Sequence, residues 1–304
     1  MTGRGRGRAA TIAVIALVAI LAGCGSDNQP PPAATPTDVP LPTPVTTTYV
    51  LQQSVWYAGL VIHVDSVSSV LRAGVGSLTA DIRIDNPGTD PASLDAPIRV
   101  ISGSGVLEPV RGTELPDIDP GGSVAISLRF DVGAGFDVGH ATFRIGRAGE
   151  HEAVVPLVKG ASALVTNEPR LLVLSGSGKA GSLMLTLRSG TIRADLPDWG
   201  LELAHGSLAL SVVYDARYLG SFQGGFAFTA ANIGLRLPNG TILGPRPDGH
   251  SQAAAVLLPR TPKGSLTSRF EVPIPGVGTY ALVVRDGRSS ASIPIKILPA
   301  AAGG

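Results

Sequence analysis

The chain has 304 residues, of which 44% are hydrophobic and only 15% charged, with a net charge of +1 and a single cysteine. One thiol excludes a disulfide scaffold and any cysteine-built zinc or iron–sulfur site, and 24 basic against 23 acidic residues excludes binding by wholesale phosphate neutralisation. The 39 glycines and 25 prolines make up about a fifth of the chain, below the proportion that marks general disorder. Chain order begins with Arg4, Arg6 and Arg8, followed by an apolar run from Ala9 to Leu21 interrupted only by Thr11. At ~1.5 Å per helical residue this run covers about 20 Å, too little for a hydrocarbon core of ~30 Å. A basic start, a short apolar stretch and small residues behind it have the form of a secretory signal over residues 1–23.

The signal ends in Leu21-Ala22-Gly23-Cys24, which resembles the lipobox of bacterial lipoproteins, and the sole cysteine stands where that motif requires it. The resemblance implies a diacylglycerol on the Cys24 sulfur, cleavage before Cys24, and a mature chain held on the extracytoplasmic face of the cell membrane. Two acyl chains suffice for stable anchoring. Cleavage removes three of the basic residues and none of the acidic ones, so the mature chain is slightly acidic.

Residues 24–48 carry seven prolines and no aromatic residue, so they bury too little apolar surface to offset the entropy of ordering. They read as a disordered linker, either a spacer reaching roughly 75 Å in polyproline form or a tether of no set length. From Tyr49 the pattern becomes strict alternation. Trp56, Ala58, Leu60, Ile62 and Val64 share one face and Tyr57, His63 and Asp65 the other, and the runs 78–85 and 124–131 alternate likewise. Period two with one apolar face is a half-buried antiparallel strand, and turn clusters such as Asn86-Pro87-Gly88 and Asp119-Pro120-Gly121-Gly122 separate the runs. The fold class expected is all-β, with a sandwich over 49–158.

A second, diverged copy is read over 160–298. Leu60–Ser66 corresponds to Leu183–Ser189, Ser77–Asp85 to Ser207–Asp215, Gly105–Arg111 to Gly240–Arg246, Ser127–Val132 to Thr267–Val272, and Thr142–Ile145 to Ala281–Val284. Pro294 in the last run suits an edge strand. The strand order, the Asn-Pro-Gly corner and the Pro-Gly turn before Arg129-Phe130-Asp131 resemble the immunoglobulin-like, telokin-like domains of unknown function on bacterial envelope lipoproteins. That resemblance implies two tandem immunoglobulin-like sandwiches without the antibody cysteine pair.

Motifs for chemistry are sparse. Gly176-Ser177-Gly178-Lys179 lacks both the first glycine and the Ser/Thr of a phosphate loop, so no nucleotide is expected. Neither Gly-x-Ser-x-Gly nor Ser-x-x-Lys occurs, which lowers the odds of an envelope hydrolase while leaving a triad assembled from distant residues open. In Glu150-His151-Glu152 the strand pleat turns the histidine away from the glutamates. Asp85, Asp90 and Asp95 around the Asn-Pro-Gly corner are either turn formers or calcium ligands without EF-hand spacing. Trp199 in Pro197-Asp198-Trp199-Gly200 is either a partner-binding loop residue or a plug over the second sandwich. The sum is a non-catalytic, lipid-anchored binding or structural module without a cofactor, whose partner is an envelope protein or glycan. The alternative is a carrier of a small ligand or calcium.

Overall fold

The computed structural model describes residues 42–110, 115–158, 160, 162–247, 254–274 and 276–298; the signal, Cys24 and most of the linker lie outside them. Among the described residues the architecture is all-β, with short 3-10 turns and no α-helix. The first half contains β1 Val45–Tyr57, β2 Leu60–Arg72, β3 Val75–Asp85, β4 Ile98–Ser102, β5 Gly105–Leu107, β6 Ser123–Val132, β7 Thr142–Ile145 and β8 Ala153–Pro156. They form two antiparallel sheets, β1-β2-β3-β6 and β5-β4-β7-β8. Both sheets contribute side chains to one core, in which Phe130 meets Phe143 edge to face at 6.3 Å between centroids.

The second half contains β9 Arg170–Val173, β10 Ser177–Ala180, β11 Leu183–Arg193, β12 Asp195–Leu196, β13 Leu201–Glu202, β14 Ser207–Tyr218 and β15 Phe226–Phe228. It continues with β16 Ile233–Arg236, β17 Ile242–Leu243, β18 Ala255–Leu257, β19 Lys263–Pro273, β20 Gly278–Asp286 and β21 Ser289–Ile297. The main sheets run β10-β11-β14-β19 and β17-β16-β20-β21, and β9 adds to β11 beyond β10. This is the strand order of the first half repeated. The segments paired in the sequence fall on corresponding strands: β2 with β11, β3 with β14, β6 with β19 and β7 with β20. A second core fills this half, where the buried Tyr214 hydroxyl pairs with Ser268 Oγ at 2.8 Å and burial pushes the phenol up to about 12. Pro294 lies on β21, at a sheet edge.

Two details differ from the sequence reading. The run from Trp56 to Val64 is not one strand: Ala58 and Gly59, at φ +49° and +90°, close a two-residue hairpin between β1 and β2. Both central residues at positive φ define the turn whose twist matches the flanking strands. Val55 and Tyr57 therefore face the core, and Trp56 is only half-buried. Second, β1 begins at Val45, inside the stretch read as linker. Its β-branched Thr46, Thr47 and Thr48 pair with Val70, Ser69 and Ser68, so ladder hydrogen bonds outweigh the local proline bias.

Candidate functional site

The two halves belong to one compact unit, and the densest polar chemistry lies where they meet. The hairpin β12–β13 carries a 3-10 turn, Pro197–Trp199, onto the Ala58-Gly59 turn of the first half. Gly59 N donates to Asp195 Oδ2 at 2.7 Å and Ala58 N to Glu202 Oε2 at 2.8 Å. Pro197 packs so closely that a Cβ on Gly59 would stand 2.7 Å from the proline Cβ. Glycine is required there twice over, for its φ and for this contact.

The chain between the halves is stitched in as well. Trp56 N donates to Thr166 O at 2.6 Å, and Val154 and Val165 exchange backbone hydrogen bonds of 3.0 and 2.9 Å. His205 N donates to Gly149 O at 2.7 Å and His151 N to Leu203 O at 3.2 Å. The buried His151 ring donates from Nε2 to Ser207 O at 2.7 Å, which fixes its tautomer because a carbonyl can only accept.

Three carboxylates converge on this joint. Tyr57 donates its hydroxyl to Glu150, and Arg193 grips Asp195 through Nε at 2.5 Å and Nη2 at 2.9 Å while lying 5.6 Å from the Trp56 ring centroid. Glu202 has one oxygen on the Ala58 amide; the other is sealed from solvent with no hydrogen-bond partner among the described residues. Burial pushes the Glu202 carboxyl up to about 9. The Ala58 hydrogen bond and Arg193 oppose the rise, and the charges of Asp195 and Glu150 reinforce it. The same effects, burial first and the bond to Glu150 second, raise the Tyr57 phenol.

Beside this network is an open groove of about 390 Å³ whose walls come from both halves. One wall is the loop after β3. Asn86 is 2% exposed; its Nδ2 donates to Asp90 O at 2.8 Å and Ile118 O at 2.9 Å, and its Oδ1 accepts from Gly88 N at 2.9 Å. The Asn-Pro-Gly corner is thus the strut that sets this wall, which presents Asp90 and Asp95, the latter paired with Arg147 at 3.2 Å. The other wall is the 3-10 turn. Gly200 ends it in the left-handed region and Arg269 holds Asp198 at 2.7 Å, leaving Trp199 55% exposed over the groove. Trp199 is no part of the second core.

Of the calcium candidates, Asp90 and Asp95 share the groove, whereas Asp85 is engaged on the outer face of the first sheet. Among the described residues no group of three or more His, Cys, Asp or Glu side chains is arranged to hold a metal ion. In Glu150-His151-Glu152, Glu152 is ion-paired with Arg99 and Arg144, Glu150 serves Tyr57, and His151 serves Ser207. Gly178-Lys179 lies on β10, with Gly178 against Ile293.

No local sequence motif marks the row on that outer face. Ser54 Oγ meets His63 Nδ1 at 2.7 Å, and His63 Nε2 meets Asp85 Oδ2 at 2.8 Å. These are the partners of a catalytic triad, joined by strand register. Asp85 also receives Ser123 Oγ at 2.6 Å and Arg83 Nη1 at 2.9 Å; burial alone would raise its carboxyl, and these bonds, with His63, leave it below its usual range. Ser54 is exposed on an open sheet face away from the groove, and acyl transfer depends on donors converging on an oxyanion. A fluorophosphonate probe is therefore expected to leave Ser54 unlabelled, with identical mass spectra for wild type and Ser54→Ala. An adduct on Ser54 would show an active nucleophile.

No protein-family model matches the chain, and no curated protein does. A crystal structure of a conserved hypothetical protein from Bacillus anthracis is similar over 36% of this chain and 96% of its own, at 7% identity and a TM-score of 0.28. That likeness is too slight to carry an argument.

Proposed function

We propose that the chain is an envelope lipoprotein, anchored through Cys24 on the extracytoplasmic face of the membrane. It presents two tandem immunoglobulin-like sandwiches, 49–158 and 160–298, as a non-catalytic binding or structural module. The repeated strand order supports the paired reading: each half has two antiparallel sheets around one core, with the chain crossing between sheets as in immunoglobulin domains. The lipid anchor rests on the lipobox resemblance, and the duplication on the paired segments.

The observation that carries the binding role is the groove at the joint, with Trp199 half-exposed above Asp90 and Asp95. A concave polar site with an aromatic anchor is where binding energy concentrates. An envelope protein or glycan is the partner that location offers. Two variants test the two parts separately. Cys24→Ala is expected to shift the protein from the membrane to the soluble fraction, and retention on membranes would overturn the anchor. Trp199→Ala is expected to lose a partner that wild type retains from envelope extracts by about tenfold or more, as hot-spot truncations do. Equal retention would overturn the groove as the contact site.

A further inference from the structure

β14 leads away from the joint, from Ser207 to Tyr218, and delivers the chain to the far end of the second half. Two loops lie side by side there: Tyr218 bridges Pro259, Phe226 pairs with Leu257, and Ala227 pairs with Val256. Their apolar side chains face water. Phe222 is 68% exposed, Val256 61%, Leu258 50% and Leu219 39%. A Cβ on Gly224 would come within 2.5 Å of the Phe222 ring, so the ring rests on bare backbone with its other face outward.

Exposed cations lie at the same end of this half. Arg217, Arg260 and Lys263 lie on or beside the loops. Lys179 is opposite Met184, which is opposite Arg217, and directly paired residues share a face of the sheet. None of the four is in a salt bridge among the described residues. Residues 217–226 and 256–263 contain no aspartate or glutamate. Of the nearby carboxylates, Asp215 is taken by Arg188, and Asp286 accepts from the amide and hydroxyl of Ser182.

We propose that this end of the second half docks on an anionic lipid surface. An exposed ring and aliphatic side chains enter the headgroup boundary, and the unpaired cations meet the lipid phosphates. Positive charge with no acidic residue in either loop favours an anionic bilayer over a neutral one. This surface is separate from the groove and does not depend on the Cys24 anchor.

The test uses the full chain carrying Cys24→Ser, so that Phe222→Cys is its only thiol, labelled with an environment-sensitive nitrobenzoxadiazole dye. Vesicles of phosphatidylcholine with phosphatidylglycerol are expected to shift its emission to the blue, while phosphatidylcholine alone leaves it unchanged. The same dye at Val106→Cys, on an exposed strand of the first half, is expected to stay unchanged with both. Arg217→Gln with Arg260→Gly removes two cations, and glycine suits position 260, whose φ is +61°. At about fivefold per basic residue, the lipid needed for a half-maximal shift is expected to rise about 25-fold. An unchanged dye at 222, an equal shift in both vesicles or at 106, or indifference to the two arginines would overturn the proposal. A shift produced equally by soluble polyglutamate would reassign the surface to an acidic polypeptide.

Discussion

Glu202→Gln is expected to stabilise the protein at neutral and alkaline pH, the opposite of what removing a hydrogen-bonded charge at a joint usually does. The carboxyl titrates near 9 when folded, against an ordinary 4.5. Between these values the unfolded chain releases the proton and the folded chain keeps it. Folding stability associated with Glu202 is therefore full below about 4.5, declines as pH rises, and levels off above about 9. Each pKa unit corresponds to about 1.4 kcal/mol, and partial relaxation of the site brings the cost near pH 7.5 to about 2 kcal/mol. Glutamine keeps the acceptor for the Ala58 amide and places an uncharged donor where the orphaned oxygen now sits, close to Glu150 and Asp195. Thermal midpoints from pH 5 to 10 should fall with pH in wild type and much less in the variant, whose midpoint at pH 7.5 should be several degrees higher. Parallel pH profiles would remove Glu202 as the group responsible.

How much of this could be read beforehand follows from the range of each interaction. Strand faces are local, so period two located the buried Ile82, Ile84, Leu128 and Phe130 correctly, and the paired segments landed on corresponding strands. The Ala58-Gly59 turn was missed because alanine is a poor marker of positive φ, where Asn-Gly would have announced it. That miss hid the row on the first sheet. With the hairpin centred on 58 and 59, register alone places Ser54 opposite His63, and Asp85 lies one diagonal step across β3. The joint was illegible for a different reason. Tyr57, Glu150 and the Asp195–Glu202 hairpin come from three separate segments, and their meeting depends on how one half seats on the other. Trp199 was singled out for its residue type and loop, but the wall opposite it, built on Asn86, is a tertiary fact.

Gly59→Ala should be far more disruptive than the same substitution in the next hairpin of the first sheet, and that matched control separates its two causes. Gly59 and Gly74 hold the same position in consecutive two-residue hairpins: Ala58-Gly59 at φ +49° and +90°, Ala73-Gly74 at +50° and +79°. Alanine pays a similar backbone cost at either site, about 1 kcal/mol. Their surroundings differ. A Cβ on Gly74 meets nothing within 4 Å, whereas on Gly59 it stands 2.7 Å from Pro197 Cβ and 2.8 Å from Pro197 Cα. Pro197 Cα is backbone at the start of the 3-10 turn, so relief requires moving the hairpin that also brings Asp195 and Glu202 to the first half. Losing that seat leaves carboxylates and amides of the joint unpaired, a cost of about 2 kcal/mol or more beyond the backbone term. Gly74→Ala is therefore expected to lower the thermal midpoint slightly and leave the Trp56 and Trp199 emission unchanged. Gly59→Ala is expected to lower the midpoint severalfold more and to shift that emission, because Arg193 over Trp56 and the turn bearing Trp199 both depend on the joint. Equal effects of the two substitutions would mean that Pro197 yields without cost, and that the two halves are not locked through this turn.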